Sequence, residues 1–337
     1  MSIQLHDWLS TLGQLPPVRV VEVDNDQLSA SSAWMRDGFL HAVDGRTRKY
    51  FAVYKAKSGQ HAKWLAAADG AALEVIPLAV EGGDCIVGGD FWLVGVNSVG
   101  STMNIEGRQC DYQTAKQRIS KLDTRKLHVV GYRATNLKNK FRWLRYKFRD
   151  LFRGPTASDP IFLFPSSVTQ TGKWSTFFDM LLGIQGGDRL WQEWAHIDLV
   201  VAVTGRKDAK SGKDILVVAS TTVHPCVPNR EAEVQGDCLD ALETYLSQSG
   251  FQIIRNPAPY SSQFGVVLPY NNVIVQDDPA TVWLPQFGDA GDYQATDQAN
   301  VELWRKIGFK VVPVPGWGAF LRDHASIRCA TNGVARL

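Results

Sequence analysis

Two stretches of this chain pass from an amphipathic helix through a glycine into a strand in the same way. SGFQIIRNP (Ser249 to Pro257) and IGFKVVPVP (Ile307 to Pro315) share the glycine, the phenylalanine and the final proline at an offset of about 58 residues. Such a period suggests a repeated supersecondary unit, which buries its apolar face only by stacking on copies of itself. Ahead of the first stretch, Val234, Cys238, Leu242, Tyr245 and Leu246 share one stripe, which predicts a helix from about Glu231 to Gln248. A second helix is expected from about Thr296 to Lys306. A weaker echo is a helical pattern over His61 to Ala68, then Gly70, then the strand-like Val75-Ile-Pro-Leu.

Short strands fill the intervals. Cys85-Ile-Val and Phe91-Trp-Leu-Val flank Gly88-Gly89-Asp90, the pattern of a tight hairpin. Ile197 to Val203 and Ile215 to Ala219 flank the polar loop RKDAKSGKD, and Val266 to Leu268, Val273 to Val275 and Val282 to Leu284 are further strand candidates. Hairpins alternating with single helices predict an α/β protein built as a ring of ββαβ-like modules rather than a doubly wound sheet. The stretch from about 106 to 190 is less repetitive and reads as a basic insertion in one domain spanning 1–337. Within it KNKFRWLRYKFRDLFR (Lys138 to Arg153) sets Phe141, Leu144, Phe148 and Leu151 near one face. Such a helix either packs on the body of the protein or meets an anionic surface.

With 337 residues, 45% of them hydrophobic, the chain has ample material for a core. A net charge of +2 gives no global attraction to nucleic acid or other polyanions. No apolar run approaches the roughly 20 residues that span a bilayer. The first residues lack the basic start and apolar run of a secretory signal, so a cytoplasmic protein is expected. The five cysteines, Cys85, Cys110, Cys226, Cys238 and Cys329, are odd in number and without a CxxC, which argues against a disulfide framework or structural zinc.

Several candidate residues sit at segment ends. Asp37 lies in Trp34-Met-Arg-Asp-Gly38, Glu81 in Glu81-Gly-Gly-Asp84, His196 and Asp198 in His-Ile-Asp, and Cys329 in Ser326-Ile-Arg-Cys-Ala-Thr-Asn332. If Ile197 begins a strand, His196 and Asp198 point to the same side, where an imidazole and a carboxylate manage a proton and a cation together. The glycines after Glu81 let a ligand or another backbone approach. Cys329 has Arg322, His324 and Arg328 nearby in sequence, and cations favour the reactive thiolate. Each has an ordinary alternative: an ion pair, a hairpin turn, a small buried hydrophobe. Together they fit guanidinium chemistry. A guanidinium is a planar cation whose N–H fork matches carboxylates. Attack on its carbon needs a strong nucleophile and a proton donor for the departing amine.

WMRDG, EGGD, HID and the C-terminal cysteine, in this order, resemble the pentein superfamily of guanidine-modifying enzymes. Its members include agmatine, arginine and peptidylarginine deiminases, dimethylarginine hydrolases and amidinotransferases. YNNVIV, WLPQFGD and ATDQANVELWRKIGFKVVPV also resemble the approach to the catalytic cysteine in agmatine-deiminase-like members. The resemblance implies a five-bladed α/β propeller of ββαβ repeats. It implies that Cys329 attacks the guanidinium carbon, that His196, supported by Glu81, protonates the leaving amine and activates water, and that Asp37 and Asp198 clamp the guanidinium nitrogens. It implies no metal or organic cofactor. The substrate would be agmatine, arginine or a peptidyl arginine, handled by a hydrolase, or by an amidinotransferase with an amine acceptor. A pentein that binds a ligand or a membrane surface without catalysis is the reading from another class. Arg36, Arg322 and Arg328 are candidates for a substrate carboxylate or for structural pairing. The run DHASIR before Cys329 departs from the glycine-rich run of agmatine deiminases. A homo-oligomer is compatible with all of this.

Overall fold

The computed structural model describes residues 39–44, 47–53, 59–105, 110–134, 189–192, 194–221 and 230–331. Within them the chain repeats one pattern four times: two antiparallel strands, then a helical connection to a third strand parallel to the second. In the first unit, β1 (Phe39–Asp44) pairs with β2 (Thr47–Val53), and α1 (Gly59–Asp69) leads to β3 (Ala72–Ile76). In the second, β4 (Cys85–Val87) pairs with β5 (Phe91–Gly95), and α2 (Val96–Met103) and α3 (Tyr112–Ser120) lead to β6 (Lys126–Val130). A small antiparallel pair follows, β7 (Tyr132–Ala134) with β8 (Arg189–Trp191). The third unit joins β9 (Val201–Lys207), β10 (Asp214–Ser220), α4 (Arg230–Gln248) and β11 (Gln252–Pro257). After the short pair β12 (Tyr260–Ser261) and β13 (Val266–Val267), the fourth unit comprises β14 (Ile274–Gln276), β15 (Thr281–Pro285), α5 (Gln294–Ile307) and β16 (Lys310–Val314). The fold is therefore mixed α/β with several small sheets. The elements α3 and β6, from the stretch that reads as less repetitive, complete the second unit.

The repeated glycine has a physical cause. Gly70, Gly250 and Gly308 all adopt positive φ, 62°, 103° and 102°, at helix C-termini where a side chain would be strained. At each, the next residue's N–H reaches the carbonyl five residues back: Ala71 to Ala66, Phe251 to Leu246, Phe309 to Trp304. This is the glycine-capped ending that satisfies orphan carbonyls and turns the chain. Leu246, Phe251, Trp304 and Phe309 are buried there, and the Trp304 and Phe309 rings meet edge to face with centroids 5.5 Å apart. The helix thus ends on a hydrophobic contact that starts the parallel strand.

Strands β4, β9 and β10 of the second and third units pack into one core. Ile86, Val201 and Leu216 join Leu239, Leu242 and Leu246 of α4 and Cys329 in one buried cluster. Among the described residues no helix is long and apolar enough to cross a membrane.

Candidate active site

The candidate residues fall at equivalent places in the units. Glu81 lies a few residues before β4, His196 and Asp198 just before β9, and Asn271 and Asn272 just before β14, while Cys329 follows β16. Asp37 and Arg36 lie outside the described residues, as do Lys138 to Arg153 and Cys226.

His196 and Glu81 come together across 115 residues of chain, with His196 Nε2 2.7 Å from Glu81 Oε2. The His196 side chain is only 14% exposed, whereas that of Glu81 is 56% exposed. The hydrogen bond from His196 lowers the Glu81 pKa from its ordinary value; burial opposes this shift and the charge of the imidazolium adds to it. Glu81 therefore remains an ionised acceptor that favours imidazolium at His196.

The glycines of the EGGD motif make room for this pair. Gly82–Asp84 form a single 3-10 turn. A Cβ on Gly83 would run into the imidazole, with His196 Cγ 2.7 Å away. Asp84 ends the turn fully buried. Its Oδ1 accepts from Gln192 Nε2 at 2.8 Å and from the Ile197 amide at 3.1 Å; its Oδ2 accepts from Ser98 Oγ at 3.0 Å and the Ser98 amide at 3.3 Å. One carboxylate thereby fixes the first turn of α2, the side chain of Gln192 just after β8, and the residue after His196.

This network corrects one expectation. Ile197 does not begin a strand. Residues Ile197–Leu199 form a 3-10 turn and β9 starts at Val201. His196 is itself extended, at φ −134° and ψ 152°. The Ile197 amide goes to Asp84 and the Val200 amide to the Ile197 carbonyl, so neither joins a ladder. The simple alternation of side chains along a strand does not govern His196 and Asp198.

Burial raises the Asp84 pKa to about 6, against the opposing influence of His196 and its hydrogen-bond donors. A carboxyl group whose pKa rises on folding contributes most stability below its unfolded value, 3.8, and that contribution is lost as the pH climbs to about 6. In Asp84→Asn this fall between about pH 4 and pH 6 is expected to flatten. The variant should also lose about 1–3 kcal/mol at neutral pH, because an amide N–H₂ turns toward donors. Chemical denaturation of both proteins across that pH range checks both effects.

Asp198 is fully buried, and its Oδ2 accepts from Arg328 NH1 at 2.8 Å. This ion pair, across 130 residues of chain, joins the turn after His196 to the residue before Cys329. The cysteine is buried in the same apolar cluster as Ile197 and Leu199. Its loop is held from the other side by Asn272, whose Oδ1 accepts from the Arg328 amide at 2.9 Å and the Cys329 amide at 3.1 Å.

Neither Asn272 nor Asp84 was assigned a role on sequence grounds. The only signal for Asn272 lay in the family-like YNNVIV stretch. The neighbouring stretches have a structural use too. The buried carboxylate of Asp297 accepts from Tyr270 Oη at 2.6 Å and from the Phe287 and Gly288 amides at 3.0 and 2.9 Å. It thereby ties the YNN, FGD and ATD segments together. Asn272→Ala should cost about 1–3 kcal/mol, by taking the acceptor from the Arg328 amide and leaving the Cys329 amide with the Ser326 carbonyl alone, and lower turnover at least about tenfold by loosening the cysteine loop. Melting curves and steady-state kinetics of the purified variant measure the two effects.

No protein-family profile and no curated protein matches the sequence. Solved structures do match. The chain is similar to C. jejuni agmatine deiminase, at TM-score 0.50 and 13% identity, over 88% of this chain and 70% of that one. It is also similar to a Porphyromonas gingivalis protein provisionally assigned as an arginine deiminase, at TM-score 0.52 and 13% identity, over 89% of this chain and 74% of that one. At such identity the likeness is one of fold, and it agrees with what the ordered motifs imply: this chain has the fold of the pentein superfamily.

Proposed function

We propose that this protein is a guanidine-modifying hydrolase, with Cys329 as nucleophile and His196 as general acid and base. The observation that carries the reading is the 2.7 Å contact between His196 and Glu81, on an imidazole seated where only a glycine fits. A carboxylate that holds one ring nitrogen fixes the ring's orientation and stabilises its protonated form. That form delivers a proton to a departing amine.

The reaction then follows from the groups present. Asp198, with Asp37, holds the nitrogens of the substrate guanidinium through charge-assisted hydrogen bonds. The Cys329 thiolate adds to the central carbon and gives a tetrahedral adduct. His196 donates its proton to one nitrogen, which leaves as ammonia, and an S-alkylthiouronium on Cys329 remains. The now neutral imidazole removes a proton from water, which attacks the same carbon. Collapse of the second adduct expels the thiolate and releases the ureido product, its hydroxyl proton passing to solvent while His196 keeps the proton taken from water. Glu81 offsets the imidazolium charge each time it forms. Asn272 and Ser326, whose carbonyl also accepts from the Cys329 amide, hold the nucleophile's backbone. In this reading the four units belong to a five-bladed α/β propeller that forms one catalytic domain.

The test is release of ammonia and ureido product by the purified protein. The panel holds arginine, agmatine, methylated arginines, simple guanidino acids and an arginine peptide. The expected result is turnover of at least one member. Turnover of none, by a folded protein at millimolar substrate, would contradict the hydrolase assignment.

A further inference from the structure

The Arg328–Asp198 pair carries a consequence for the proposed reaction, and the inference rests on that reading. The carboxylate that should hold a substrate guanidinium already holds a guanidinium from the chain itself. The contact is a single one: Arg328 NH1 reaches Asp198 Oδ2, at 2.8 Å. No other hydrogen bond of the Arg328 side chain occurs among the described residues. A guanidinium offers five N–H donors in a rigid fork, so this attachment uses little of what the group can give. Arg328 also lines a cavity of about 640 Å³ beside Asn271, Val201, Val273 and Asp277. The side chain therefore has open space next to it when it leaves Asp198, and a second carboxylate borders that space.

We propose that Arg328 is an intramolecular competitor for Asp198, occupying the carboxylate until a substrate guanidinium displaces it. Asp198 is fully buried, and a buried carboxylate stripped of its cation is strongly disfavoured. A partner is thus always needed, and Arg328 supplies one when no ligand is bound. A substrate guanidinium shared between Asp198 and a second clamp residue makes more charge-assisted bonds than Arg328 makes here. The exchange then runs toward substrate at sufficient concentration. Its cost is a fixed factor, because apparent affinity falls in proportion to the fraction of protein in which the carboxylate is available. Every ligand that uses Asp198 is weakened by that same factor. Arg328 consequently sets the substrate concentration at which the enzyme works without altering its preference between such ligands.

The experiment is calorimetric binding of agmatine, arginine and guanidinium chloride in a Cys329→Ala background, so that no turnover intervenes. It compares Arg328 with Arg328→Met and Arg328→Lys. Arg328→Met should tighten all the ligands that bind by a common factor of about tenfold or more. Arg328→Lys keeps the charge but loses the planar fork, so it should tighten them by a smaller common factor. It also serves should Arg328→Met not fold. Adding Asp198→Asn should abolish the difference between Arg328 and Arg328→Met. Unchanged or weaker binding in both Arg328 variants would overturn the competitor role while leaving the guanidine assignment in place. So would tightening in Arg328→Met with none in Arg328→Lys, which would mark a general effect of charge. Absence of binding by any guanidine, with or without Arg328, would overturn both.

Discussion

Cys329→Ala should lower turnover of any accepted guanidine by at least about a thousandfold, since the nucleophile supplies the covalent step and no other group on the site replaces it. Stability should stay within about 1 kcal/mol of the parent, because a thiol in an apolar cluster behaves as a small hydrophobe. The loop is fixed by backbone bonds to Asn272 and Ser326, none of which involves the sulfur. Loss of activity is thus expected without loss of structure. Matching circular dichroism and melting curves, alongside the ammonia assay, would establish that separation. A variant that retains parental rates would remove Cys329 from the mechanism.

Gly83→Ala should be nearly as damaging, by a different route. The added methyl would fall on the His196 ring, with Cγ 2.7 Å away, well inside van der Waals contact. The turn has little room to yield, since Asp84 next to it is tied to Ser98, Gln192 and Ile197. The imidazole must move instead and lose Glu81. A misplacement of about 1 Å in a catalytic group costs on the order of a hundredfold. Turnover should fall by at least that much, chiefly in kcat. The thiol should still react with a small alkylating agent, because Cys329 itself is undisturbed. Near-parental kinetics in Gly83→Ala would mean that the ring does not need its observed position.

The residues that were legible in the sequence owe this to local chemistry. Gly250 and Gly308 stood out because a helix ending on a left-handed residue needs glycine, and because a buried phenylalanine follows each. The helix at 231–248 was marked by an apolar stripe and appears as α4 with one residue added at its start; the helix expected at 296–306 appears as α5, two residues longer at its start and one at its end. Glu81 and His196 were marked by their motifs and do meet. The remainder depends on contacts distant along the chain. Asp84 closes the same motif as Glu81, but its role depends on Gln192 and Ile197, 108 and 113 residues away. Asn272 acts on amides 56 and 57 residues ahead. The strand expected at Ile197 fails because Asp84 takes that amide before a sheet can. The carboxylate of Asp198 could be picked out by its motif, whereas its pairing with Arg328 could not.

The most direct test of the account is to quench the protein during reaction with an accepted guanidine and weigh the intact chain and its Cys329 peptide by mass spectrometry. The account predicts one adduct on Cys329 with the mass of the substrate less ammonia, absent from Cys329→Ala. An adduct carrying only the amidino group would instead identify an amidinotransferase that passes it to an amine. A productive enzyme with no adduct, or one with the label on another residue, would contradict covalent catalysis by Cys329.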